Sequence, residues 1–300
     1  TATLIIAGGV EVESAYGYLG YKAGSSGTAF VIGEGSEWNN SDALNVGNGG
    51  RGTLDIADGG MVRVSGTTWV AKEAGSSGAI NFENGTLTTG GLVSSLSNLR
   101  GTGTISTHGL VSDIDLVFDG QSSLTQSFRL EDAERDFTIN VEPNGTASIG
   151  VGYDDTASLQ ISGGVIVDSV AGYVGFHTGS TGTALVTGAG SEWNNSSSLY
   201  VAKNGIGMLF IEAGGVVSNS TGYIGDGSDS VGTVTVTGEG SELNNSEDLR
   251  VGYLDGEGTV IIMDGVVVIV AGTTTLAIQH STSNSQTQQV DHLYLLTSYT

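Results

Sequence analysis

Residues 35–56 read GSEWNNSDALNVGNGGRGTLDI, residues 190–211 read GSEWNNSSSLYVAKNGIGMLFI, and residues 240–262 read GSELNNSEDLRVGYLDGEGTVII. Trp38 and Trp193 are 155 positions apart, and Trp193 and Leu243 are 50 apart. The triplets Tyr18-Leu19-Gly20, Tyr173-Val174-Gly175 and Tyr223-Ile224-Gly225 repeat at the same two offsets. A multi-residue match at constant offset marks a repeat architecture, which has to be settled before any local reading. A shorter period lies inside the 50-residue unit. Gly27, Gly52, Gly78, Gly103, Gly182, Gly207, Gly232 and Gly258 each open a short β-branched run, and Ala2 and Ala157 do so in the same register. The spacings are 25, 25, 26, 25, 54, 25, 25, 25 and 26 residues, the 54 being read as two slightly long turns.

From each anchor, the second and fourth following positions are mostly apolar, as in Leu54/Ile56, Ala184/Val186, Leu209/Ile211 and Val234/Val236. Period two with one apolar face is the signature of a half-buried strand. A second apolar column is expected seventeen residues after each anchor, at Leu19, Leu44, Trp69, Val174, Leu199, Ile224 and Leu249. A third run, such as Val10-Glu11-Val12 or Val62-Arg63-Val64, alternates between them. No segment carries a sustained helical stripe. Three strands in about 25 residues cannot bury their own face, so successive units must stack. The expected fold is all-β: a right-handed, single-stranded parallel β-helix, a three-faced β-solenoid of about 12 turns of ~25 residues, roughly 58 Å long at one strand spacing per rung. It is read as one solenoid over 1–300, with regular turns at 1–103 and 157–272, irregular spacer turns at 104–156 and a modified C-terminal turn at 273–300.

Composition agrees. The chain has 50 glycines, one proline and no cysteine. Tight corners use glycine, whereas proline would delete ladder hydrogen bonds. Lys and Arg number 9 against 32 Asp and Glu, a formal charge of −23. That balance excludes a nucleic-acid binder, which must neutralise phosphates with cations. It also speaks against docking on anionic lipid. The longest apolar run, Val266 to Ala271, is far too short for direct membrane insertion as a helix. With no cysteine there are no disulfides, thiolate metal sites or thiol nucleophiles. No leader pattern opens the chain at Thr1, so the sequence is expected to be a mature form or an excised fragment.

The units 27–56, 182–211 and 232–262 resemble the 50-residue repeats of autotransporter passenger domains and of PEP-CTERM-associated bacterial extracellular proteins. Residues 172–218 follow that pattern nearly throughout, while Leu243 stands where Trp is expected and 226–231 diverges. The segment 101–153 is similar to the spacer between repeat blocks of such proteins. The resemblance implies a secreted solenoid, one portion of a longer chain, with no defined ligand.

Candidate sites are few. The NNS corners place Asn40, Asn195 and Asn245 in one column, with Ser65 and Ser220 expected at the same place in the intervening turns; an inward polar ladder is the expected use. Asn39, Asn194, Asn195 and Asn244 also match a glycan-acceptor pattern. Trp38 and Trp193, beside Glu37 and Glu192, could stack on sugar, but Leu243 in the third copy favours packing. Carboxylate pairs for glycoside cleavage could come from Asp113 with Asp115, Glu131 to Asp136, Asp154 with Asp155, or Asp226 with Asp229. Asp226 with Asp229, or Asp255 with Glu257, could hold calcium, although neither has an EF-hand spacing. His108, His177, His280 and His292 fall on separate turns without metal-ligand spacing. The basic residues are few and dispersed. The expectation is therefore no catalytic, cofactor or metal residue and no enzyme activity. The chain is read as an extracellular or bacterial cell-surface stalk, matrix or adhesin segment. Its expected partners are copies of itself end to end, as a filament, or further repeats of a longer chain, with surface glycans as a further partner. The alternatives are a carbohydrate-active parallel β-helix enzyme and a glycan-binding module.

Overall fold

A computed structural model describes residues 1–120, 124–263, 266–277 and 287–289. The chain is an all-β parallel β-solenoid of about 11 turns of ~25 residues, built from three parallel sheets. The described residues contain no α-helix, only a three-residue 3-10 turn at Leu96–Asn98. The chain forms two compact units, one of residues 1–110 and 125–147, the other of residues 111–124 and 148–300.

In the first unit the anchor register holds for four rungs. Ala2 pairs with Gly27, Gly27 with Gly52, and Gly52 with Gly78, all in parallel strands. The second sheet stacks Glu11–Ser14, Glu37–Asn40 and the start of Met61–Val70. The third stacks Gly17–Leu19, Leu44–Val46 and the end of Met61–Val70. Alternation does the sorting. In Ser26–Ile32 and Arg51–Ala57 every second side chain is buried, among them Ala29, Val31, Leu54 and Ile56.

Regularity ends before Gly103, which was expected to open a rung. Ser77–Val93 runs as one 17-residue strand past all three faces. The corner that follows it, 94–98, carries no glycine, unlike those after the third strand in earlier turns. The next rung therefore starts early: Leu99 pairs with Ile80, and Gly103 pairs with Gly85 rather than Gly78. The spacer is not two slightly long turns either. Gln126–Glu131 and Arg135–Val141 form an antiparallel hairpin, and its second strand adds a parallel strand to Leu99–Thr107. Pro143, two residues beyond that strand, sits where no ladder donor is required.

In the second unit Leu116–Phe118 pairs with Thr156–Ile161, and the first sheet then continues through Thr181–Thr187, Ile206–Glu212, Val231–Thr237 and Glu257–Ile262. Leu159, Val186, Leu209, Ile211, Val234 and Val236 form its buried columns. Glu192–Asn195, Val216–Asn219 and Glu242–Asn245 run through the second sheet. Gly172–Val174, Leu199–Val201, Gly222–Ile224 and Leu249–Val251 run through the third.

The third sheet corrects the column expected seventeen residues after each anchor. Leu44 pairs with Gly17 and Leu19 with Val46, so the expected single column is two inward columns two residues apart. Trp69 belongs to neither. It pairs with Asn45 on the outward side, between the buried Thr68 and Val70. The turns number about 11 rather than the expected 12, and among the described residues after Ala277, residues 287–289 pair antiparallel with Thr275–Ala277. The rest of the expected C-terminal turn, with His280 and His292, lies outside the described residues.

Candidate functional site

Strand alternation turns Trp38 and Asn40 inward and Asn39 outward, and does the same with Trp193, Asn195 and Asn194. Trp38 and Trp193 are 4% and 0% exposed, so neither ring offers a face to sugar. Each indole is instead the first donor of a relay. Trp38 Nε1 donates to Ser14 Oγ at 3.2 Å, and Ser14 Oγ donates to Asn40 Oδ1 at 2.9 Å. Trp193 Nε1 donates to Ser169 Oγ at 3.3 Å, and Ser169 Oγ donates to Asn195 Oδ1 at 2.7 Å. A buried polar group needs a partner, and each relay supplies it from the preceding rung. The third copy solves the same problem differently. Leu243 has no N–H to place, and Asn219 stands where Ser14 and Ser169 stand, donating directly to Asn245 Oδ1 at 2.7 Å.

The glycine two rungs' motifs share has a packing cause. A Cβ on Gly17 would lie 2.9 Å from Trp38 Cζ2, and one on Gly172 would lie 2.7 Å from Trp193 Cζ2. The polar ladder is shifted by one from the expected positions. Asn40 pairs with Val64, not Ser65, and Asn219 pairs with Asn245. Ser65 is exposed and Ser220 is half-buried. The cause is that second-sheet spacing alternates between 26 residues (Ser14 to Asn40) and 24 (Asn40 to Val64). Among the acceptor-pattern residues, Asn195 is buried at 5% exposure. Asn39, Asn194 and Asn244 turn outward and bond their carboxylate neighbours Glu11, Asp168 and Glu192, and Glu242. Polar corners line shallow grooves in both units. One, about 500 Å³, is lined by Ser14, Asn39, Asn40, Arg63 and others. Another, about 430 Å³, is lined by Asn195, Asn219, Asn244, Asn245 and neighbouring serines.

Three of the four carboxylate pairs are spent on the backbone and on neighbouring side chains. Asp113 Oδ1 accepts the N–H groups of Tyr153, Asp154 and Asp155 at 2.8, 2.8 and 2.9 Å. Asp115 Oδ1 accepts from Ser158 N and Ser158 Oγ. Together they tie residues 113–115 to the rung that opens at Thr156. Residues 131–136 are the tip of the hairpin, where Asp132 pairs with Arg135, and Arg129 with Glu131 and Asp136. Two backbone donors and the Arg135 guanidinium hold the exposed Asp132 carboxyl below its ordinary range, the guanidinium hydrogen bond being the largest cause. His177 Nδ1 lies 2.6 Å from Asp154 Oδ1. Among the described residues no group of three or more His, Cys, Asp and Glu is placed to hold a metal ion.

A cluster of aromatic and charged side chains lies on the outward side of the third sheet in the second unit. Tyr173, Tyr200 and Tyr223 occupy successive rungs of one column, followed by Arg250. The Tyr173 and Tyr200 rings stack at 5.2 Å and 3°, and the Tyr200 and Tyr223 rings at 4.8 Å and 7°. Three residues further on, a parallel column runs Phe176, Lys203, Asp226, Tyr253. Lys203 Nζ lies 4.4 Å from the Phe176 centroid and 5.4 and 5.5 Å from those of Tyr173 and Tyr200. The Arg250 guanidinium sits over Tyr223 and Tyr253, donates to Tyr223 Oη at 3.2 Å and pairs with Asp248 at 3.0 Å. Cations over ring faces gain from the ring quadrupole.

Burial pushes the Tyr173 phenol up to about 12, with Tyr200 adding to the effect. Burial likewise raises Tyr200 and, against the pull of Lys203 and Arg250, raises the Asp226 carboxyl. Lys203 and Arg250 are the only Lys or Arg in residues 111–124 and 148–300. Dispersed in sequence, they converge on this face. The first unit carries a partial counterpart, Tyr18–Asn45–Trp69, with Lys72 Nζ 5.1 Å from the Trp69 ring. The sequence signal was available: Tyr173, Tyr200 and Tyr223 fall one residue before the apolar position that ends each third-sheet strand. No family model, no curated protein and no solved structure matches this chain.

Proposed function

We propose that the chain is a structural β-solenoid working outside the cell, at a bacterial surface, as a stalk, matrix or adhesin segment. The observation that carries this reading is that the residues the sequence repeats are consumed in rung-to-rung contacts. Trp38, Ser14 and Asn40 are joined in one hydrogen-bond chain across two rungs, as are Trp193, Ser169 and Asn195. Gly17 and Gly172 make room for the indole, Asn and Leu side chains of the next rung. The carboxylates of Asp113 and Asp115 bind backbone N–H groups. A repeat selected for chemistry would keep polar groups pointing at a ligand; this one turns them on its neighbours. The likeness of 27–56, 182–211 and 232–262 to the repeats of autotransporter passenger and PEP-CTERM-associated proteins supports the same reading. So does the formal charge of −23, which disfavours lateral clumping. Its partners are then further repeats of a longer chain, or further copies end to end.

The mechanical role is tested by pulling the chain from its two ends. Stacked rungs should yield one after another, each releasing about 25 residues, or roughly 80–90 Å of extended chain. Extension without steps, or turnover of a polysaccharide by the purified chain, would contradict the proposal.

A further inference from the structure

We propose that the tyrosine ladder Tyr173–Tyr200–Tyr223 is an oxidative cross-linking site, at which a one-electron oxidant of the peroxidase–hydrogen peroxide class joins neighbouring rungs through dityrosine.

The geometry supplies what the reaction needs. Coupling within one molecule is favoured where two phenols are held side by side for longer than a radical lasts, and here the backbone does the holding. Tyr173 pairs with Tyr200 and Tyr200 with Tyr223 in parallel register, so their side chains leave adjacent rungs in the same direction. The rings are parallel within 3° and 7°, at 5.2 and 4.8 Å. All three tyrosines are half-buried, so none is sealed off from an oxidant. Tyr200, the middle ring, has a neighbour on both sides and can couple to either. With no cysteine in the chain, disulfides cannot staple these rungs.

The balance closes without further partners. Each phenol gives one electron to the oxidant and its hydroxyl proton to solvent, leaving a phenoxyl radical with spin at the carbons ortho to oxygen. Two radicals form one ortho carbon–carbon bond. The two ring protons displaced at that bond leave the carbons, and the oxygens are reprotonated to phenols. Per link, two tyrosines lose two electrons and two protons in total, which reduce one hydrogen peroxide to two waters.

The test treats the full chain at high dilution with horseradish peroxidase and hydrogen peroxide, then reads dityrosine fluorescence, intact mass and tryptic peptides. Trypsin cuts after Lys203 and Arg250, so a Tyr200–Tyr223 link joins peptide 136–203 to peptide 204–250. The expected result is a monomer lighter by two hydrogens per link, with those two peptides joined. Tyr223→Phe should abolish the joined pair and leave a link within 136–203; Tyr200→Phe should abolish both. Phenylalanine keeps the ring stack, and an unchanged circular dichroism spectrum verifies the fold of each variant. Tyr16, Tyr18 and Tyr21 of the first unit, about half exposed, are the internal comparison. Dityrosine confined to those residues, formed only between molecules, or retained in Tyr200→Phe between the same peptides would overturn the proposal. The stalk reading does not depend on the outcome, because its own test is mechanical and uses untreated protein.

Discussion

Replacing Ser169 with Ala removes the central member of the buried relay on the second sheet of the second unit. Ser169 is 1% exposed, and its hydroxyl both accepts from Trp193 Nε1 and donates to Asn195 Oδ1. The substitution removes no large side chain, so the cavity contribution is small. What remains is an indole N–H and an amide oxygen left unpaired in the interior. Leaving a buried polar group unsatisfied costs about 1–3 kcal/mol. For the two groups together, with partial relaxation of Asn195, we expect about 2–4 kcal/mol. A stacked solenoid need not unfold in one step, so a global unfolding free energy is the wrong quantity. Amide hydrogen exchange, which reads local opening, is the right assay. At tenfold per 1.4 kcal/mol, exchange of the second-sheet amides in 192–195 should accelerate roughly 30- to 700-fold. Ser197→Ala, at an exposed corner of the same turn, is the matched control and should leave exchange unchanged. The two substitutions having equal effects would refute the reasoning. The third copy sharpens the prediction: Ser169→Asn with Trp193→Leu recreates the Asn219/Leu243 solution, so the pair should cost less than the sum of its parts by about 1–2 kcal/mol.

Further outcomes follow from the same contacts. Leu54→Ala and Ile211→Ala, both fully buried, should each cost about 2–4 kcal/mol by local hydrogen exchange. Gly207→Ala should disrupt its rung outright, because the added Cβ would collide with the backbone of Ala202 and Val174, whereas Gly179→Ala meets no atom and should cost only about 1–2 kcal/mol for its left-handed backbone. Asp113→Ala, which removes the acceptor for three backbone N–H groups, should raise exchange at 153–155 far more than Asp119→Ala does. Tyr173 has a folded-state pKa raised to about 12 by burial. Its contribution to stability is therefore complete below the ordinary tyrosine value of about 10 and is lost as pH rises toward 12. A phenolate absorbance titration should show this group ionising late, and alkaline unfolding should begin in that window.

The anchor spacing was legible because glycine has to recur wherever one rung's backbone lies against the next, as it does from Gly27 to Gly78 and from Gly182 to Gly258. It misled at Gly103, where a matching residue at a matching distance lies on a rung shortened by the uncornered strand Ser77–Val93. Period arithmetic counts residues, whereas a rung closes on geometry, and here the chain returns from Ile80 to its partner Leu99 in 19 residues, against 26 from Leu54 to Ile80. The Asn ladder was legible in kind but not in register, because a 26/24 alternation averages to the same period as a uniform 25. Leu243 in place of Trp pointed correctly to packing, and Trp193 is buried. The tyrosine ladder was in view only as a repeat marker. Its stacking depends on which residues face outward in three-residue strands, too short for alternation to declare itself. The convergence of Lys203 and Arg250 was likewise invisible to a scan for local charge runs, since residues 47 positions apart share a face only once the rungs are stacked.

The central claim is that the repeated residues serve rung-to-rung stacking, so that whole rungs are interchangeable. Deleting residues 182–231 tests it most directly. The cut joins Thr181 to Gly232 at equivalent positions, since Gly182, Gly207 and Gly232 occupy one column. In the shortened chain Leu159 would face Val234, Val167 would face Leu243, and Val174 would face Val251, each keeping an apolar partner. The account predicts a folded protein with an undiminished β spectrum per residue and with hydrogen-exchange protection retained at 157–161 and 232–237. A chain that aggregates, or that loses protection on both sides of the junction, would contradict it.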